Sequence, residues 1–112
     1  MADNIFVKII KGEIPAEKVF ESENIIAIKD IYPKAPVHIL IIPKKEIPDI
    51  QSVKPEDYHL INEVVKVAQE LAARYKITDG YRLLTNNGSG AGQSIFHLHF
   101  HLIGGKKLGN EA

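Results

Sequence analysis

The stretch SIFHLHFHLIGG at residues 94–105 places three histidines, His97, His99 and His101, at every second position. The whole chain has only five histidines. Side chains along a β-strand alternate between its two faces, so this spacing predicts a strand over residues 95–103 with the imidazoles on one side. The other side would then carry four apolar residues able to pack on a helix: Phe96, Leu98, Phe100 and Leu102.

A face with three imidazoles is too polar for ordinary core, because each buried ring would need hydrogen-bond partners. The simplest interpretation is a solvated polar face, but the clustering favours a ligand. A zinc ion is one candidate, although no carboxylate is obviously positioned to complete the site, and His59 is expected on the exposed side of a helix. A phosphate is the other, since an imidazole near neutral pH can serve as nucleophile, general acid or hydrogen-bond donor.

The glycine-rich segment NNGSGAGQS at residues 86–94 leads directly into the histidines. Glycines let a backbone approach an anion closely and present its N–H groups to it. The segment is not a P-loop, because no lysine follows and it leads to a strand rather than a helix. By itself it could simply be a flexible connection. Next to the histidine strand, it favours phosphate as the ligand.

Length and composition predict a single domain over residues 1–112. Fourteen basic and fourteen acidic residues cancel, and no basic patch is visible, so a nucleic-acid partner is not expected. With no cysteine, disulfides and thiolate chemistry are excluded. No signal-peptide pattern or membrane-spanning apolar run occurs, which predicts a soluble protein without a membrane partner, and a cytoplasmic location is expected.

The remaining pattern predicts an antiparallel α+β domain. Asn4 is a suitable cap for a short helix with apolar residues at helical spacing. Strands are expected at residues 19–20, 25–28, 37–43 and 80–86. A long helix should begin near Pro55 and carry one apolar stripe, made of Leu60, Ile61, Val64, Val65, Ala68, Leu71 and Ala72.

The histidine strand, with an apolar residue after each histidine, resembles the motif of the histidine triad (HIT) family. The segments NIFVKIIKGEIPA, DIYPKAPVHILIIPKK and GYRLLTNNG are similar, in the same order, to the nucleotide-binding (Hint) branch. The resemblance implies a HIT-like fold: a five-stranded antiparallel sheet with one short N-terminal helix and one long helix. It also implies a homodimer.

The Hint resemblance implies a purine nucleoside phosphoramidase that cleaves the P–N bond of AMP or GMP conjugates without a metal or other cofactor. The middle histidine, His99, would be the nucleophile that forms a nucleotidyl-histidine intermediate. His97 and His38 would orient its ring. The expected phosphate contacts are His101, Asn86, Gly92 and Ser94. Asn86 would contact phosphate or ribose, and Ser94 would also help to protonate the departing amine.

The resemblance also implies a nucleoside site. Asp30 would accept the ribose hydroxyls as a bidentate acceptor. Apolar residues that would otherwise be read as plain core match the base pocket: Ile5, Phe6, Ile9, Ile28, Ile31 and Leu40. Ile95 is expected among the nucleotide-binding residues as well.

Other activities stay open. The same histidine could serve a dinucleoside-polyphosphate hydrolase or a nucleotidyl transferase, and the triad could instead belong to a non-catalytic zinc- or nucleotide-binding regulatory module. In Hint homodimers the C-terminal tail of one subunit reaches the partner's site and shapes leaving-group preference. Here the tail after Gly105, KKLGNEA, is short and has no aromatic residue, so the leaving group stays undetermined.

Overall fold

The computed structural model describes residues 3–110 and shows an α+β fold. Five antiparallel strands form one open sheet in the order β1-β2-β3-β5-β4. The strands are β1 Lys18–Glu21, β2 Ile25–Lys29, β3 Val37–Pro43, β4 Tyr81–Leu84 and β5 Phe100–Gly104; the helices are α1 Ile5–Ile10 and α2 Tyr58–Arg74. The fold class predicted from the sequence is therefore confirmed.

The N-terminal helix α1 begins where the sequence predicts. The Asn4 side chain accepts a hydrogen bond from the Val7 N–H, which satisfies one of the free donors at the helix start. Phe6 and Ile9 are buried and pack on one face of the sheet. Their partners there belong to β2 and β3: Ile26, Ile28, Leu40 and Ile42.

The long helix α2 packs on the opposite face, but its predicted stripe needs two corrections. Val65 is 43% exposed, whereas Val67, which the stripe omitted, is buried. At 3.6 residues per turn, Val67 falls on the same side as Val64 and Leu71, while Val65 is rotated towards solvent. A short 3₁₀ turn, Pro55–Asp57, precedes the helix, so Pro55 lies before its first residue.

The histidine strand is shorter than predicted. β5 begins at Phe100, which pairs with Ile41 in the last pair of the ladder between β3 and β5. β3 itself ends two residues after Ile41, at Pro43. Upstream of that pair the chain is held differently, with the Leu98 N–H donating to the Ile47 carbonyl at 2.7 Å. Alternation continues there, with Leu98 in the core against α2, but Phe96 is 51% exposed and does not join the packed face.

Cross-strand pairing sets the side of the sheet that faces away from α2. Residues directly opposite in an antiparallel pair lie on the same face. One row across β3, β5 and β4 consists of His38, Ile103 and Arg82, and the next row consists of Leu40, His101 and Leu84. α1 packs on the part of this face that β2 and β3 form, so His38 and His101 lie beside the edge of the helix.

Within residues 3–110, neither helix is long and apolar enough to cross a membrane.

Replacing Leu71 by alanine should destabilise the fold. Its side chain is fully buried between α2 and the sheet, and removing it leaves a cavity that costs about 3 kcal/mol of unfolding free energy. Val65→Ala on the same helix is the matched control and should change stability by about 0.5 kcal/mol or less. Urea denaturation of both variants measures the difference, and equal losses would contradict the assignment of helix faces.

Candidate active site

His97 is fully buried and hydrogen-bonded at both ring nitrogens. Its Nδ1 lies 3.2 Å from the Asn4 Nδ2, and its Nε2 lies 2.8 Å from the Pro43 carbonyl oxygen. The Asn4 amide orientation follows from its oxygen, which accepts the Val7 N–H. Asn4 therefore donates to Nδ1, and Nε2 carries the proton donated to Pro43. These bonds hold His97 as one neutral tautomer.

Within residues 3–110, the His99 ring has a hydrogen-bond partner at one nitrogen only. Its Nδ1 lies 2.7 Å from the His97 backbone oxygen, which can only accept, so Nδ1 carries the proton. Nε2 is then unprotonated, with its lone pair available. Burial, the largest cause, lowers the pKa of His99 from its usual value, which keeps the ring neutral near pH 7. The Phe6 ring packs edge-on against it at a centroid distance of 4.9 Å.

His101 is set in the opposite tautomer by a relay through His38. The Lys34 backbone N–H donates to His38 Nδ1 at 3.0 Å, so the His38 proton is on Nε2. His38 Nε2 in turn donates to His101 Nδ1 at 2.9 Å. A neutral His101 therefore carries its proton on Nε2. The site thus presents an acceptor on His99 and a donor on His101, with ring centroids 5.3 Å apart.

The two relay histidines are also kept neutral. Burial and then the neighbouring His99 and His38 lower the pKa of His101 to about 4. Burial also lowers the pKa of His38, and the Lys34 charge adds to that effect, while the Asp30 carboxylate opposes it. The Asp30 Oδ2 lies 3.4 Å from His38 Nε2. At neutral pH the site therefore consists of uncharged imidazoles with directed donors and acceptors.

The glycine-rich loop is held by Gln93, to which the sequence alone assigned no role. Its buried side chain accepts the Gly88 N–H at 2.7 Å and donates to the carbonyls of Pro48 and Ile95. Gly88 and Gly92 have φ of 85° and 94°, a region that favours glycine. The loop is thus a hydrogen-bonded turn rather than a flexible connection.

The predicted phosphate contacts lie around this loop. Gly92 and Ser94 are exposed, and Asn86 is half-buried and lines a cavity together with His101. Ser94 is three residues before His97 in the segment that leads to β5. The fold thus brings Asn86 to the same cavity as His101, whereas Gly92 and Ser94 are linked to the triad through the chain that leads to β5.

Most of the predicted base pocket forms one buried cluster. Phe6, Ile9, Ile28 and Leu40 pack together, and Ile95 packs against them. Two predicted members lie outside the cluster: Ile5 is 45% exposed and Ile31 is 80% exposed. Asp30 is half-buried at the rim, where its Oδ1 accepts the Tyr32 N–H at 2.8 Å.

One argument from the sequence, that no carboxylate is positioned beside the histidines, is wrong. Asp30, His38 and His101 offer ligand atoms that lie within 4.8 Å of one another. The three could share a cation, but His38 Nε2 and His101 Nδ1 already form a hydrogen bond that such an ion would have to break. The sheet brings the three together, because Asp30 directly follows β2, whose neighbour β3 carries His38.

Comparison with known proteins agrees with this fold. The HIT domain profile matches residues 11–108. A HIT-like protein of Chlamydia pneumoniae is 56% identical over 105 residues, covering 94% of this chain and 96% of that protein. A HIT family hydrolase from Clostridium thermocellum superposes with a TM-score of 0.94 at 44% identity, covering 99% of this chain and 97% of its own. A histidine triad nucleotide-binding protein from Candida albicans gives 0.82 at 36% identity, with coverage of 98% and 85%.

The imidazoles of this candidate site lie on β3, on β5 and in the segment just before β5. The chain belongs to the HIT family. It has the fold of HIT family hydrolases.

Acidification should weaken the fold before most carboxylates titrate. The pKa of His101 falls from 6.5 in the unfolded chain to about 4 in the folded protein, so the unfolded state binds more protons between these values. Stability should therefore fall as pH drops through this window. Urea unfolding between pH 5 and pH 7 measures the slope, which should be shallower in His101→Asn than in the wild type. Equal slopes would contradict the lowered pKa.

Changing Asn4 to aspartate should change the protonation of His97. Aspartate caps a helix as well as asparagine does. Its second carboxylate oxygen, which can only accept, would take the place of the Asn4 amide donor beside His97 Nδ1. The Glu46 carboxylate, 3.5 Å from the Asn4 Nδ2, adds negative charge. We expect His97 to carry protons on both nitrogens at pH 7, visible in ¹⁵N NMR of the ring, whereas wild type and the cap-preserving Asn4→Ser should show one. An unchanged His97 signal in Asn4→Asp would refute the assigned donor role.

Proposed function

We propose that this protein hydrolyses the P–N bond of purine nucleoside 5′-phosphoramidates through a nucleotidyl-histidine intermediate on His99. The observation that carries the proposal is the hydrogen bond from His99 Nδ1 to the His97 carbonyl, which leaves Nε2 unprotonated. An unprotonated ring nitrogen is the nucleophilic form of imidazole. The named relatives support a hydrolase of this family and, in one case, nucleotide binding.

The first step would use the opposite tautomers of two rings. The His99 Nε2 lone pair forms a bond to the α-phosphorus while the P–N bond to the amine breaks. The departing nitrogen takes a proton from solvent water, which we assign to relay through the Ser94 hydroxyl, so that the amine leaves neutral. The His101 Nε2–H donates to a phosphoryl oxygen as charge develops there. The nucleotidylated His99 ring carries a positive charge, which the His97 carbonyl stabilises by accepting its Nδ1–H.

The second step would return the free enzyme. Water attacks the phosphorus and gives up a proton to solvent through Ser94, which balances the proton taken up in the first step. The P–Nε2 bond breaks, the nucleoside monophosphate leaves and the lone pair returns to His99. His97 acts in both steps through its backbone carbonyl, since its ring is occupied by Asn4 and Pro43. We assign His38 the role of holding His101 in its donor tautomer. Asn86 and Gly92 would contribute further donors to the phosphate.

The nucleoside would lie on the α1 side of the triad. The cluster containing Phe6, Ile9, Ile28 and Leu40 supplies an apolar wall for a purine, with Ile95 at its edge. The side chains of Ile5 and Ile31, which are exposed, would contact a bound base. The Asp30 carboxylate at the rim would accept the ribose hydroxyls.

A cation-binding module is the second candidate, favoured by the proximity of Asp30, His38 and His101. In that case the triad would hold an ion rather than attack phosphorus. Activity that survives chelator treatment, together with metal analysis of the purified protein, distinguishes the two. A dinucleoside-polyphosphate hydrolase would use the same His99 and differ in substrate alone.

The assembly and location implied by the family resemblance are part of the same proposal. We propose a homodimer located in the cytoplasm. The support in this structure is that β4 is the last strand of the sheet: among residues 3–110 its only strand partner is β5, so its other side can pair with a second strand.

Replacing His99 by alanine should lower the turnover of adenosine 5′-phosphoramidate by a factor of about 10⁴ or more, because no other group supplies the nucleophile. AMP affinity should be largely retained, since the apolar cluster and Asp30 are untouched. His59→Ala, exposed on α2, is the control and should retain wild-type turnover. The assay is run with chelator present, and a diadenosine polyphosphate is tested in parallel.

Mass spectrometry of acid-quenched enzyme should show added nucleotide mass in the wild type but not in His99→Ala. Turnover by the alanine variant in a clean preparation would remove His99 from the nucleophile role. Faster turnover of the diadenosine polyphosphate would instead assign the other hydrolase activity.

A further inference from the structure

A second feature borders the triad on the side away from α1. It is a cavity of about 530 Å³, here called the lysine cavity, between β5, β4 and the segment that follows β5. His38, His101 and Asn86 form its wall next to the triad. The other lining residues include four with positively charged side chains: Lys34, Arg82, Lys106 and Lys107.

The charge of the lysine cavity has one sign. Lys34, Lys106, Lys107 and Arg82 line it, and no carboxylate of residues 3–110 does. The three lysines form no ion pair with any described residue. Since the chain as a whole has no net charge, this is a local concentration of positive charge. Such a pocket attracts and holds anions.

One hydrogen bond anchors the segment that carries two of these lysines. Arg82 on β4 donates from Nη2 to the Gly109 carbonyl at 2.6 Å, which ties the segment after β5 to β4. Lys106 and Lys107 lie between this tie and the end of β5. They therefore border the cavity as parts of an anchored segment.

Lys34 connects the lysine cavity to the triad. Its backbone N–H donates to His38 Nδ1, and its charge contributes to the lowered pKa of His38. The cavity and the proposed catalytic relay thus share His38 and His101 as a common wall. A group bound in the cavity would lie next to the atoms that we assign to the reaction.

The two sides of the triad differ in chemistry. On the α1 side are the apolar cluster and Asp30, where the nucleoside is proposed to bind, and on the β4 side is the lysine cavity. A phosphorus atom between His99 and His101 would have its nucleoside on the first side, which leaves the second side for the group that departs.

We propose that the lysine cavity is the leaving-group subsite and that it selects leaving groups carrying negative charge, either a carboxylate or a phosphate. This inference rests on the proposed function. It assigns specificity to Lys34, Lys106 and Lys107. The chemistry shared by the two kinds of leaving group is an anion attached to the atom that leaves the phosphorus.

The test compares kcat/KM for adenosine 5′-phosphoramidates of glutamate and glutamine, which differ by one charge at nearly constant shape, and adds diadenosine triphosphate as a phosphate leaving group. At low salt we expect the glutamate conjugate to exceed the glutamine conjugate by roughly tenfold, and this ratio to shrink in about 1 M salt because exposed charges are screened. The double variant Lys106→Gln/Lys107→Gln, and separately Lys34→Gln, should bring the ratio towards one. Lys66→Gln on α2 is the control and should keep the wild-type ratio.

Binding separates this inference from the proposed function. Calorimetry of the same conjugates with His99→Ala measures charge preference without turnover, and the lysine variants can be combined with it. Preference for the glutamate conjugate or for the triphosphate supports the subsite and identifies the anion, even if P–N hydrolysis itself fails. Equal affinity for charged and neutral conjugates, or a preference that survives loss of the lysines, would overturn it.

Discussion

The hydrogen bond from His99 Nδ1 to the His97 carbonyl is the interaction on which the site depends. It joins residues two apart, so the backbone of the motif itself supplies it. The His97 carbonyl can stay in place because its ring is held at both nitrogens, by Asn4 and Pro43. The buried His97 thus acts as a support, and the half-buried His99 carries the nitrogen that we propose as the nucleophile.

The donor on His101 depends on a longer path. Its tautomer is set by His38, 63 residues away in sequence, which is itself oriented by the Lys34 backbone. Burial keeps all of these rings neutral. A neutral imidazole has one donor and one acceptor, so neighbouring rings can be given opposite polarity only while they stay uncharged. Desolvation by the fold is therefore a condition for the proposed chemistry.

The two sides of the triad would bind two different parts of the proposed substrate. The short helix α1 closes one end of the sheet face with apolar side chains, whereas the segment after β5 borders the other end with lysines. A chain with balanced charges thereby acquires an apolar side and a cationic side around a neutral centre. In this interpretation the fold itself orients a nucleotide across the sheet.

Sequence by itself determined the elements whose signals are local. The cap at Asn4, the alternation around Leu98 and the apolar period of α2 all follow from neighbouring residues, and they sufficed for the fold class and for locating the triad. Local periodicity is weaker at boundaries, which is why the strand was predicted too long and Val65 was placed in the core. Tertiary structure alone decided the ring tautomers, the approach of Asp30 to His38 and the lysine cavity. Each needs a partner far along the chain, as with Asn4 and His97, 93 residues apart, and only strand pairing and helix packing create that proximity.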